Sequence, residues 1–144
     1  MNADAPLVID ANVAVKWFVQ EELSAEALAI AMSKRNFLAA DIFPAEVANV
    51  LLTKVRAGDV TAGFASQAVQ RAVGVVHLYS SPPLLPAAWE IAVRHHRTAY
   101  DALYVALALL HGCQLVTADR RLFNSLQTHY PDNLLWLGDV SPLV

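Results

Sequence analysis

Short apolar runs alternate with stretches of helical spacing along this chain, and this alternation is the feature that most constrains the fold. PLVI at 6–9 is a continuous apolar run, as expected for a strand that is buried on both faces. One or two helical stretches separate this run from the next, and the pattern continues through four further runs: NFLAADIF, VVHLY, QLVTA and NLLWLG. Strands separated by helices predict an α/β fold, in which about five mostly parallel strands form a sheet with helices on both faces.

Length and composition predict one domain that spans residues 1–144. The chain has no internal repeat or long linker, and the prolines of SSPPLLP indicate a loop and a helix start. Apolar residues make up 56% and charged residues 16%, so we expect some apolar surface to be covered by an oligomer or a partner. The net charge of -3 excludes a general attraction to nucleic acid, so any such binding requires local arginines or bound cations.

Cysteine content and hydropathy bear on the compartment. Cys113 is the single cysteine, which excludes an internal disulfide and a thiolate zinc site and is typical of a small core residue. The N-terminus lacks the basic and then apolar pattern of a signal peptide. The longest apolar run, at 102–110, is shorter than the ~20 residues that span a bilayer. We therefore expect a cytoplasmic protein.

Four acidic residues are embedded in otherwise apolar sequence: Asp10, Glu46, Asp101 and Asp119. Each falls at the start of a predicted helix, where a carboxylate caps free N–H groups and complements the helix dipole. Asp10 and Asp119 have the positions of N-caps, Glu46 lies in a first turn, and Asp101 has capping-box spacing from Thr98. Taken one at a time, capping is the favoured interpretation of each.

Taken together, the four acids favour a different interpretation. Helices that follow parallel strands begin at the carboxyl edge of the sheet, so Asp10, Glu46 and Asp119 are expected at one rim. Asp101 follows another helix, and its place is less constrained. If all four converge, their repulsion requires shared protons or a hard cation. An oxygen-only ligand set suits Mg²⁺ or Mn²⁺, whose usual chemistry at such a site is phosphodiester hydrolysis.

Four blocks in this order, VIDANVAVKWF, FPAEVANVLL, YDALYVALALLHG and LVTADRRLF, resemble the PIN domain, specifically the VapC-type toxins of toxin–antitoxin pairs. The resemblance covers essentially the whole chain. It implies a three-layer α/β/α sandwich and an endoribonuclease that needs Mg²⁺, for which Mn²⁺ can substitute. The implied partners are an RNA substrate, a cognate antitoxin and a second copy in a homodimer or a higher toxin–antitoxin assembly.

The resemblance also places the family's acidic set on the same four residues. Asp10, Asp101 and Asp119 are the expected metal ligands, and Glu46 is expected to hold or deprotonate the attacking water. Two small polar residues match family positions where a side chain can orient a metal-bound water. These are Asn12 and Thr117, which are also typical of a helix start and a strand.

Several further residues are candidates with ordinary alternatives. Lys16, Arg120 and Arg121 are candidates for contacts with RNA phosphates, although an arginine pair is often merely solvated. His95 and His96 are interpreted as a partly exposed helix end. Apolar residues at helical spacing between 45 and 73 can form an antitoxin groove or can be core: Val47, Val50, Leu51, Phe64 and Ala68.

Three other functions remain possible from the sequence. The main alternative is a catalytically inert PIN-like module that binds RNA or a partner without cutting. A phosphorylatable receiver domain is disfavoured because VVHLY ends without an acid and no lysine follows Lys54. A structure-specific DNA nuclease is disfavoured because the chain lacks extra acids and large insertions.

Overall fold

A single sheet of five parallel strands forms the centre of the structure, a computed structural model that describes residues 4–142. The strand order is β3-β2-β1-β4-β5. Val8 pairs with Leu38 on one side and with Leu115 on the other. The strands are β1 (Leu7–Ile9), β2 (Phe37–Ala40), β3 (Val76–Tyr79), β4 (Gln114–Thr117) and β5 (Leu134–Trp136). The predicted strands and their parallel arrangement are confirmed.

Seven helices connect these strands: α1 (Ala11–Val15), α2 (Ser24–Ala31), α3 (Phe43–Arg56), α4 (Ala62–Gly74), α5 (Leu85–His95), α6 (Ala99–Leu110) and α7 (Arg120–Leu126). Two short 3₁₀ turns cover Pro82–Leu84 and Leu137–Asp139. Parallel strands are joined by right-handed crossovers, so connections that run towards β3 and those that run towards β5 lie on opposite faces. Helices α1 to α4 therefore form one layer and α5 to α7 the other, which confirms the α/β/α sandwich.

The core lies on both faces of the central strands. All three residues of β1 are fully buried, as are Ala39 and Ala40 of β2. Helix α6 contacts β1, β2 and β4, and its residues from Ala102 to Ala108 are buried on all sides. This burial explains the longest apolar run of the sequence as a core helix. Within residues 4–142, the structure has no helix of the length and hydropathy that a membrane span requires.

Helix α1 is shorter than the helical spacing of ANVAVKWFV predicts. It ends at Val15, and the chain continues through turns, with the amide N–H of Phe18 donating to the Val15 carbonyl at 3.0 Å. The indole Nε1 of Trp17 donates to the Ala27 carbonyl at 3.0 Å, and its ring lies 5.4 Å from that of Phe37. These long-range contacts hold Trp17 against α2 and β2, and the chain leaves the helical conformation of α1 before this residue.

Helix α2 also ends earlier than predicted. The helical spacing of SAEALAIAMSKR predicts basic residues in the last turn, but this prediction was wrong because the helix stops at Ala31 before Lys34 and Arg35. Lys34 has a left-handed backbone with φ of 61°, which a helix cannot contain. Arg35 Nε instead donates to the Ala5 carbonyl at 2.7 Å. The arginine therefore ties the connection before β2 to the segment before β1.

Candidate active site

A cleft of about 390 Å³ opens at the carboxyl ends of β1 and β2. Three of the four predicted acids line it: Asp10, Glu46 and Asp101. Asp10 follows β1 directly, Glu46 lies in the first turn of α3, and Asp101 lies in the first turn of α6. The remaining walls are mainly apolar or amide side chains, including Asn12, Ile42, Asn49 and Tyr100. The topology thus brings together carboxylates that are up to 91 residues apart in the chain.

Asp10 is the most strongly perturbed acid of this cleft. It is the N-cap of α1, and its Oδ1 accepts a hydrogen bond of 3.0 Å from the Val13 amide. The pKa of Asp10 is raised from 3.8 to about 7, and burial is the largest cause. The hydrogen bond from Val13 opposes this increase, and the negative charges of three neighbours contribute to it: Glu46, Asp101 and Asp119. The four acids therefore share one electrostatic environment.

Glu46 is held by Tyr104, a contact that the sequence analysis missed. The Tyr104 hydroxyl donates to Glu46 Oε1 at 2.7 Å, and the tyrosine is only 3% exposed. Burial raises the pKa of Glu46, the Tyr104 hydrogen bond opposes this, and the charge of Asp101 adds to the increase. The pKa of Tyr104 is itself raised by burial and then by Glu46, so the phenol stays a neutral donor. Tyr104 lies in the YDALY block, one helical turn after Asp101, and that spacing was the available signal.

Arg97 joins Asp101 to Asp119. Its Nη2 lies 3.1 Å from Asp101 Oδ2 and 3.6 Å from Asp119 Oδ2. Asp119 is the N-cap of α7 and accepts from the Leu122 amide at 3.1 Å, as its predicted capping position requires. Asp119 does not line the cleft itself. Arg97 was not predicted from the sequence, because it precedes the Thr98 N-cap and lies outside α6, four residues before Asp101.

The four carboxylates interact electrostatically, but each is also held by a nearby donor, and Asp101 and Asp119 share Arg97. Within the described range 4–142, no three histidine, cysteine, aspartate or glutamate side chains are placed as a ready ligand set for a metal ion. The donors themselves fit a hard divalent cation, because they are carboxylate oxygens whose repulsion already raises the pKa of Asp10. Asp101 and Asp119 both contact one guanidinium nitrogen of Arg97.

The two small polar candidates occupy different environments. Asn12 is exposed and lines the cleft one residue beyond the start of α1. Thr117 is fully buried, and its Oγ1 accepts a hydrogen bond of 3.0 Å from the Asp119 amide. Thr117 therefore positions the backbone of the neighbouring acid.

The basic candidates are only partly free. Lys16 Nζ lies 3.2 Å from Glu21 Oε1, and Lys54 Nζ lies 2.6 Å from Glu21 Oε2. The acids at positions 21, 22 and 26 suggest a solvated stretch in the sequence, but this interpretation was wrong for Glu21, which pairs with both lysines. Arg120 stacks over Trp136 with 4.0 Å between the guanidinium carbon and the ring centroid, and Arg121 is exposed.

Other expectations are met away from the cleft. His95 ends α5, and His96 follows it as an exposed C-cap with φ of 54°. Cys113 is buried and free.

Asp41 also follows a strand, yet its Oδ2 accepts from the Ser81 amide at 2.9 Å and it does not line the cleft. Position after a strand is thus insufficient to place an acid in the cleft.

Comparison with known proteins identifies the family. The family model described as "PIN domain" matches residues 7–127. A curated relative, Ribonuclease VapC3 from Pyrobaculum aerophilum, is 33% identical over 119 residues, which cover 81% of this chain and 91% of the relative.

Solved structures agree with this fold. The crystal structure of PAE2754 from Pyrobaculum aerophilum has a TM-score of 0.64 and 24% identity, and the match covers 85% of this chain and 80% of that one. A toxin–antitoxin complex from Klebsiella pneumoniae has a TM-score of 0.64 and 14% identity, and VapBC2 from Rickettsia felis, bound to a promoter DNA fragment, has 0.63 and 12%. Both matches cover 91% of this chain and 97% of the other. With the match over residues 7–127 and the VapC relative, this chain belongs to the PIN domain family.

Proposed function

We propose that this chain is an Mg²⁺- or Mn²⁺-dependent endoribonuclease and the toxin of a toxin–antitoxin pair. The observation that carries the proposal is the cleft in which Asp10 lies with Glu46 and Asp101, close enough for their charges to raise its pKa. The PIN family, a relative named as a ribonuclease and two structural neighbours described as VapBC2 and a toxin–antitoxin complex support it. The cytoplasm is the proposed site of action.

The proposed roles follow from the environment of each acid. Asp10 and Asp101 would hold the cation most directly, and Asp119 would complete its ligands from the adjacent helix start. When bound, the cation would supply positive charge that polarises the scissile phosphate and favours loss of a proton from the attacking water. Glu46 holds or deprotonates the attacking water, because its pKa is raised by burial and its free oxygen lies in the same cleft. Tyr104 fixes the orientation of Glu46 through its 2.7 Å hydrogen bond.

Basic groups beside the cleft are the proposed contacts for RNA phosphates. Lys16, Arg120 and Trp136 line a second cavity of about 320 Å³ next to the start of α7. Arg120 follows Asp119 directly at the start of α7, and its guanidinium suits a phosphate bound beside that acid. The stacking of Arg120 on Trp136 orients the guanidinium, while Lys16 is shared with Glu21.

The decisive test is RNA cleavage by the purified protein and two matched variants. Structured RNAs are incubated with Mg²⁺, Mn²⁺ or EDTA in the presence of the wild type, Asp10→Asn or Asp41→Asn. We expect cleavage by the wild type with either metal, none with EDTA and none by Asp10→Asn. Asp41→Asn removes an acid that also follows a strand but lies outside the cleft, so it should cleave normally. Full activity of Asp10→Asn, or cleavage in EDTA, contradicts the proposal.

One observation favours the alternative of an inert PIN-like binding module. Arg97 neutralises Asp101 and Asp119 within the protein, and the acids of residues 4–142 do not form a ready ligand set. An inert module binds RNA or a partner equally well as wild type and as Asp10→Asn, and neither protein cleaves. The same assay, followed by gel shift of the uncut RNA, distinguishes the two functions.

An antitoxin is the proposed partner for exposed apolar surface beside α3 and α4. Val47, Leu51 and Ala68 are buried, so the core interpretation holds for them, whereas Phe64 is 44% exposed. Phe64 borders a cavity of about 730 Å³ together with Phe18, Lys54 and Val60. An amphipathic antitoxin segment suits a groove with such a mixture of apolar and charged walls.

A second copy of the chain is the proposed partner for an exposed stripe on α5. Leu85, Trp89 and Val93 are spaced four residues apart and therefore share one helix face. Trp89 is 69% exposed, although large aromatic side chains are usually mostly buried. Light scattering after size exclusion measures the expected homodimer, and a monomer at micromolar concentration contradicts it.

A further inference from the structure

The backbone of Arg97 is fixed beside the acidic site by hydrogen bonds at the ends of α5 and α6. His96 turns the chain out of α5 with a left-handed backbone, and the Arg97 amide donates back to the Ala92 carbonyl at 3.1 Å. Thr98 then caps α6, with its Oγ1 accepting from the Asp101 amide at 3.1 Å. The backbone of Arg97 is thus held between two helix ends, and its side chain is only 19% exposed.

The guanidinium takes the place of a counter-ion for two of the acids. One nitrogen, Nη2, makes both ion pairs, at 3.1 Å to Asp101 and at 3.6 Å to Asp119. In the part of the chain that the structure describes, the ion pairs of the four acids all come from Arg97. A cation between two carboxylates offsets their repulsion and allows them to remain ionised side by side.

This position leaves the guanidinium incompletely bonded. The Nε atom of Arg97 is buried and has no hydrogen-bond partner among the described residues. A buried donor without a partner is unfavourable, and a fork-shaped bidentate pair, which uses two nitrogens, is stronger than a contact through one. Arg97 therefore contacts both carboxylates, but only through one nitrogen, and these ion pairs are weaker than a bidentate pair. A competing cation can replace such a contact more easily.

We propose that Arg97 is a positioning residue that competes with the divalent cation for Asp101 and Asp119. This inference rests on the proposed metal-dependent function and adds a built-in limit on metal affinity. A cation that binds Asp101 Oδ2 and Asp119 Oδ2 would lie close to the guanidinium that contacts both atoms, and like charges repel at such distances. Metal binding therefore requires that Arg97 give up both ion pairs, which lowers the affinity of the site and leaves it folded without metal.

The test measures Mn²⁺ affinity by isothermal titration for the wild type, Arg97→Gln and Arg94→Gln. Arg94 is exposed near the end of α5, so its substitution removes the same charge without removing either ion pair. We expect Arg97→Gln to bind Mn²⁺ about tenfold more tightly than the wild type, since one charge-assisted hydrogen bond is no longer lost on binding. Arg94→Gln should stay within about twofold of the wild type.

Thermal unfolding provides the second readout. Arg97→Gln should unfold at a lower temperature than the wild type in EDTA, because the carboxylates then repel without a counter-ion. Its Tm should rise more than that of the wild type when Mn²⁺ is added, as tighter binding requires. A merely structural role for Arg97 lowers both Tm values and leaves the Mn²⁺ shift unchanged.

Three outcomes overturn the inference: equal Mn²⁺ affinity of Arg97→Gln and the wild type, an equal gain in Arg94→Gln, or no Mn²⁺ binding by Arg97→Gln at millimolar concentration. Failure of the proposed function has a different signature. In that case the wild type does not cleave RNA with Mn²⁺, while Arg97→Gln still binds Mn²⁺ more tightly than the wild type.

Discussion

Replacing Asp10 by Asn should make the protein more stable at alkaline pH while it abolishes cleavage. Asn is as good an N-cap as Asp, so the hydrogen bond from the Val13 amide to the side chain at position 10 is retained. The substitution removes only the charge, which is unfavourable beside Glu46, Asp101 and Asp119. Asp10, a proposed metal ligand, is thus expected to lower the free energy of unfolding when no metal is bound.

The magnitude follows from the pKa of Asp10, which is 3.8 ordinarily and about 7 in the folded protein. A carboxyl whose pKa is higher in the folded state binds more protons in the folded state than in the unfolded state. The free energy of unfolding therefore falls as pH rises from the unfolded pKa to the folded pKa. Each pH unit in this window lowers the free energy of unfolding by about 1.4 kcal/mol. Between pH 5 and pH 8 the relevant interval is the two units from 5 to 7, so Asp10 lowers the free energy of unfolding by up to about 3 kcal/mol.

Urea denaturation in EDTA at pH 5 and pH 8 measures this difference. From pH 5 to pH 8, the free energy of unfolding of the wild type should fall by up to about 3 kcal/mol more than that of Asp10→Asn. Other groups, including Glu46 with its raised pKa, titrate in both proteins, so their effects largely cancel in the comparison. Asp41→Asn is the control, and its pH dependence should follow that of the wild type. Parallel pH profiles of wild type and Asp10→Asn, within about 1 kcal/mol, refute the burial and repulsion assigned to Asp10.

Three further substitutions test the structure. Tyr104→Phe removes the donor to Glu46 Oε1, so urea unfolding should show a loss of about 1.5–3 kcal/mol, and the pH profile of RNA cleavage should shift upwards. An unshifted profile contradicts the role given to Tyr104. Trp89→Ser should convert a dimer to a monomer in light scattering and change the unfolding free energy by less than about 0.5 kcal/mol. Cys113→Ser should cost about 1–3 kcal/mol in urea while cleavage persists, and loss of cleavage in folded protein contradicts a purely structural Cys113.

The sequence by itself determined the architecture and most of the acidic rim. Continuous apolar runs such as residues 7–9 and 37–40 can be buried on both faces only within a covered parallel sheet. Once the strands are parallel, their carboxyl ends lie at one edge, and acids that follow them are brought together. Asp10 and Glu46 line the cleft as this geometry predicts, whereas Asp119, predicted at the same rim, lies outside the cleft and contacts Arg97.

Only the tertiary structure decided which side chains hold these acids. Tyr104 donates to Glu46 across 58 residues, and Arg97 reaches Asp119 across 22, distances at which spacing along the chain carries no information. Asp41 follows a strand as Asp10 does, yet the loop at Ser81 captures its carboxylate. A carboxylate at a strand end can bind any donor or cation within reach, and the packing of separate helices decides which one is there. The partners of the acids, rather than their positions, therefore depended on the complete fold.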